Sequence, residues 1–171
     1  MKLSEVSGDN AVIVALMNPD KAVDIVRKFP GLALEIARKL PGKTIAILQA
    51  LDSLTTETPP RYPDREQMRK IVKQFPDLAI PIAKICFHLA CLVAEVFPEK
   101  AVEIAKEFPG EADKIASIVH CVNDSYAVAI AKAFPDQAIA IVKRYPDLAF
   151  VIAEALPEKA EDINEIFKLD E

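Results

Sequence analysis

Proline recurs at a spacing of eleven through most of this chain, and a residue that ends helices at so regular an interval leaves few folds open. In FPDQAIAIVKRYPDLAFVIAEALPEKA, residues 134–160, Pro135, Pro146 and Pro157 punctuate what otherwise reads as helix. Setting each such Pro as position zero divides the chain into units 19–29, 30–40, 41–51, 76–86, 98–108, 109–119, 135–145, 146–156 and 157–167. Units at 8–18, 65–75, 87–97 and 124–134 keep the register with Gly8, Arg65, Phe87 and Asp124 in place of Pro, which makes about thirteen units.

Within a unit the side chains follow a helical stripe. Position three is small (Ala22, Ala33, Ala101, Ala138), position six is Ile or Val (Ile25, Ile36, Val93, Ile104), position seven is mostly Ala or Val, and position ten is large and apolar (Phe29, Leu40, Phe97, Tyr145). Offsets of 3, 6, 7 and 10 share one helix face. Pro is tolerated in a first helical turn, where its missing N–H has no partner to lose, and it drives the residue before it out of the α region. Each Pro is therefore expected to end one helix and begin the next. Acidic residues directly after Pro (Asp20, Asp77, Glu99, Asp136, Asp147, Glu158) and basic residues late in the unit (Arg27, Lys28, Lys143, Arg144) suit the two ends of a helix dipole.

A helix of about nine residues spans roughly 14 Å and is marginal alone, so its stability must come from stacking. A weaker alternation, with Leu32 and Leu34, Tyr126 and Val128, or Leu148 and Phe150 where adjacent units carry Lys21, Lys43, Gln137 and Lys159, predicts deeper burial of every second helix and a 22-residue hairpin as the stacking unit. The expected fold is all-α, a solenoid-like array or curled bundle of about thirteen short helices. In general manner it resembles α-solenoids of the HEAT and tetratricopeptide kind, whose repeats are longer, about 34–47 residues. With 171 residues and only 4 Gly, the chain is read as a single all-helical domain over 1–171. Its front block, 8–51, and back block, 65–167, are joined by a loop at 52–64.

A formal charge of −5 offers no general field for a nucleic-acid backbone. The longest apolar runs, such as AVIVALM at 11–17, fall short of a membrane span, and three Cys without framework spacing suit reduced thiols, so a cytoplasmic location is expected.

Breaks in the array mark the candidate sites. The loop 52–64, DSLTTETPPRYPD, holds PPRY, a match to the P-P-x-Y pattern taken by WW-type domains. Next to it Arg61, Arg65, Arg69, Lys70 and Lys73 form a basic stretch; Arg65, Arg69 and Lys73 share a helix face and, with Arg61, are the candidates for contact with phosphate or an acidic partner. Where Phe87 and His120 stand in place of Pro, all the thiols and imidazoles of the chain gather: Cys86, His88, Cys91, His120 and Cys121. These are zinc-type ligands, with His88 and Cys91 the best-spaced pair, yet Cys86 and His88, like His120 and Cys121, diverge on a helix. His120, Asp124 and Ser125 can be drawn as a nucleophile set, but NDS at 123–125 is better explained as a helix cap.

No catalytic residue, metal or cofactor is assigned from these patterns. The expected function is a non-enzymatic interaction module or scaffold that presents a groove to a protein or peptide partner. A metal- or redox-responsive regulator built on the Cys/His residues at 86–91 and 120–121 is the alternative.

Overall fold

The structure, a computed structural model, describes residues 3–55 and 63–168. Over these residues the chain is all helical, with thirteen α-helices and no strand. They are α1 (Ala11–Met17), α2 (Ala22–Lys28), α3 (Ala33–Lys39), α4 (Thr44–Thr55), α5 (Pro63–Gln74), α6 (Ala79–Ala83), α7 (Phe87–Val96), α8 (Ala101–Glu107), α9 (Ala112–His120), α10 (Asp124–Ala133), α11 (Pro135–Arg144), α12 (Ala149–Ala155) and α13 (Ala160–Lys168). Most are preceded by a short 3₁₀ turn that opens on Pro, as in Pro19–Lys21, Pro98–Lys100 and Pro146–Leu148. No helix among the described residues is long and apolar enough to cross a membrane.

The junctions repeat one backbone conformation. Phe29 (φ −131°, ψ 68°), Leu40 (−128°, 67°), Phe97 (−131°, 70°) and Tyr145 (−131°, 80°) all leave the helical region immediately before Pro. The Phe29 N–H donates to the Ile25 carbonyl at 2.8 Å and closes α2, while the Phe29 carbonyl accepts from the Leu32 N–H at 3.1 Å and opens the next turn. One residue therefore finishes one helix and starts another, which is why an eleven-residue unit needs no separate loop. The Pro that follows has no N–H to leave unpaired.

The core lies along the expected stripe. Every position-six residue from Ile25 to Ile163 is fully buried, and so are most position-three and position-seven residues, Ala22, Ala33, Ala101, Val26 and Ala105 among them. Small residues at position three let the packed helices approach closely. The position-ten residues differ: Phe29, Phe97 and Tyr145 are only half-buried, because they sit at the junction beyond the helix end and are not aimed by the helix.

Contacts divide the chain into two compact units, Met1–Leu78 and Ala79–Glu171. In the first, α1, α3 and α5 pack in one row and α2 and α4 in another. In the second, α6, α8, α10 and α12 form one row and α7, α9, α11 and α13 the other. Packing of a helix on the next but one is the arrangement that a 22-residue hairpin repeat requires.

Three expectations need correction. Helix α4 continues to Thr55 and α5 begins at Pro63, so both ends of the segment read as loop 52–64 are helical; residues 56–62, with Arg61 and most of the PPRY-containing stretch, lie outside the described residues. Helix α5 packs on α3 and α4, so the boundary between compact units falls after Leu78 rather than at that loop. Alternate helices are not uniformly deeper: Leu148 is buried, but Phe150 is 78% exposed and Leu34 and Tyr126 are half-buried. Position four lies at the edge of the stripe, where the neighbouring helix, and not the helix's own period, decides burial.

Candidate functional site

In the unit Ala79–Glu171 the two junctions that lack Pro depart from the common conformation. Cys86 (φ −161°, ψ 160°) and Asn123 (φ −166°, ψ 127°) are extended, and α7 and α10 start directly after them without a 3₁₀ turn. At the first, Phe87 takes the place of Pro and meets Phe108 edge-on, with ring centroids 5.7 Å apart. The Lys114 ammonium lies 5.8 Å from the Phe87 ring centre. A hydrogen bond from Lys114 to the Glu111 carboxylate, together with that carboxylate's charge, holds the lysine pKa above its usual value. At the second, the Asn123 side chain accepts from the Ser125 N–H at 2.8 Å and caps α10, the role expected of NDS.

The second junction also gathers three ligand-type side chains. His120 is the last residue of α9, Asp124 the first of α10, and Asp147 sits in the 3₁₀ turn Pro146–Leu148 that leads into α12. His120 Nδ1 lies 2.9 Å from Asp124 Oδ1; the imidazole side chain is 18% exposed and the carboxylate side chain 61%. Despite this approach Nδ1 is a buried atom that makes no hydrogen bond, so the two atoms are close but not aligned as donor and acceptor. One ligand atom from each of His120, Asp124 and Asp147 lies within 4.8 Å of the other two, and no other set of His, Cys, Asp or Glu among the described residues is so clustered. The imidazole is braced by Tyr145, whose ring centroid is 4.1 Å away at a 39° tilt. Tyr145 is in turn anchored through hydrogen bonding of its hydroxyl with Ser117.

The sequence candidates are distributed differently from the expected cluster. Cys86 and Cys91 are half-buried, His88 and Cys121 are exposed, and none of them joins the His120 group; no disulfide links the thiols. The Cys121 thiol instead faces the Ser117 carbonyl at 3.8 Å. Ser125 enters through its backbone N–H at the cap, and its hydroxyl makes no hydrogen bond to His120. On α5 of the other unit, Arg65 and Lys73 are exposed, whereas Arg69 is half-buried and lies 3.4 Å from Glu66, which also holds Lys70 at 3.5 Å. The acidic neighbour partly neutralises that basic face.

Asp147 escaped the sequence reading because it follows Pro like its counterparts in other units. Its only distinguishing signal is that the α10 unit starts at a His-containing break, two helices earlier.

Asp124 and Asp147 also stand at one end of an open groove between α10 and α12. Its wall is apolar, formed by Val128, Ala129, Leu148 and Val151, with Lys132 as a lone cation. The groove continues along the same two helices past Glu154 and Ala155. Val151 is 46% exposed, and Phe150 projects beside it on α12. Comparison with family models, curated proteins and solved structures finds no match to this chain.

Proposed function

We propose that the protein is a non-enzymatic interaction module, and that the α10–α12 groove takes an apolar, basic segment of a protein partner. The observation that carries this reading is the apolar groove wall of Val128, Leu148 and Val151, with Val151 and its neighbour Phe150 exposed on α12, bordered by Asp124, Asp147 and Glu154. Three carboxylates against Lys132 favour cationic side chains on the partner, while the wall offers apolar area whose burial drives association. A short amphipathic helix, with apolar residues three and four apart and Lys or Arg at their flanks, has both properties.

Two fluorescently labelled peptides of equal length test it, one patterned from Leu and Lys and one from Leu and Glu. The Leu/Lys peptide is expected to bind in the micromolar range, with Val151→Asp weakening it by about tenfold or more. Ile13→Asp, at an exposed position of α1 in the other unit, leaves it unchanged. Equal binding of both peptides, or equal effects of the two substitutions, refutes the groove assignment.

A further inference from the structure

We propose that His120, Asp124 and Asp147 form a binding site for a divalent transition-metal ion of the zinc class. Asp124 and Asp147 each have an ordinary reason to be where they are, since acidic residues open many helices of this chain. His120 has no such reason. It replaces a Pro of the repeat, it is largely buried against Tyr145, and its Nδ1 is shut away from solvent without a hydrogen bond. Asp124 Oδ1, 2.9 Å away, is out of line for a hydrogen bond with it, so a cation held between the two would satisfy both.

Asp124 Oδ1 lies 2.9 Å from that nitrogen, and one ligand atom from each of His120, Asp124 and Asp147 lies within 4.8 Å of the other two. Ligands bound at about 2.0–2.2 Å in a tetrahedral zinc site sit roughly 3.3 Å apart, so small side-chain rotations of the exposed Asp residues bring the set to that spacing. One imidazole nitrogen and two carboxylate oxygens suit a borderline ion and leave a fourth position for water. The donors come from the end of α9, the start of α10 and the turn before α12, so a bound ion ties together three successive elements of the unit. This differs from the thiol-based site that the Cys/His clustering in the sequence suggests. The ion shares Asp124 and Asp147 with the groove, but the site stands whether or not a peptide binds there.

The full chain, stripped with chelator, is titrated with zinc chloride by calorimetry and with cobalt(II) by visible absorption. One equivalent per chain is expected, with a rise in melting temperature on zinc addition, because an ion bound only by the folded state stabilises it. The cobalt spectrum should lack the intense charge-transfer band of thiolate ligation. Asp124→Asn and Asp147→Asn both alter exposed side chains outside the core, and each should weaken zinc by at least about tenfold. A wild-type chain that binds neither ion saturably overturns the proposal. So does zinc affinity that is unchanged in both Asn variants, or a thiolate band in the cobalt complex.

Discussion

Thr44 occupies position three, where neighbouring units place Ala22 and Ala33, and its hydroxyl is buried without a hydrogen-bond partner. A buried hydroxyl in that state is destabilising by about 1–3 kcal/mol, more than a methyl of similar shape would be. Thr44→Val keeps the volume and removes the polar atom, so it is expected to stabilise the protein by about 1 kcal/mol, read as a higher midpoint in urea unfolding. A lower midpoint would mean that the hydroxyl has a partner in solution. Other residue-level expectations follow the helical period directly: Ile104 is fully buried and Lys106, two positions later, is exposed. Phe150 shows where that rule stops, because at the edge of the stripe the period leaves burial undecided.

At the scale of the element, the unit is defined by its junction, and the junction tolerates variation in a predictable way. In Pro30–Leu32, Pro41–Lys43 and Pro109–Glu111 the residue after Pro is Gly, where the other Pro-opened units have Asp or Glu. A Cβ at Gly31 or Gly110 would meet nothing within 4 Å, and neither residue has the positive φ that side chains avoid. Glycine there confers no conformational advantage, and it leaves the unfolded chain more freedom to lose. Gly31→Asp is therefore expected to stabilise by about 0.5–1.5 kcal/mol, combining the entropy change with a carboxylate at the positive end of a helical turn. Thermal melts at low and high salt check both parts, since the charge contribution should shrink with added salt while the entropy contribution persists. The two extended junctions at Cys86 and Asn123 show what happens where Pro is missing: the helix starts directly, and at Asn123 a side-chain cap takes over.

On the scale of the whole molecule, each helix packs mainly against helices one and two places away along the chain, so a local defect should have a local effect. Ile36→Ala removes a fully buried side chain from α3, and hydrogen exchange is expected to lose protection chiefly in α1 to α5. Equal loss of protection in α12 and α13 would instead show that the chain opens as one cooperative body. The all-helical class, the eleven-residue unit, the buried face and the cap at Asn123 were legible in the sequence because each is set by local chemistry: proline geometry, the 3.6-residue period and the needs of a helix end. The array could be read for the same reason, since short helices with one apolar stripe can bury it only by stacking. Tertiary structure alone decided the rest. It joined α5 to the first compact unit, exposed Phe150 while burying Leu148, and left the thiols out of the His120 cluster. It also brought Asp147 to His120 and Asp124, residues from separate units of the repeat, because packing of α10 against α12 sets their distance and no local spacing records it.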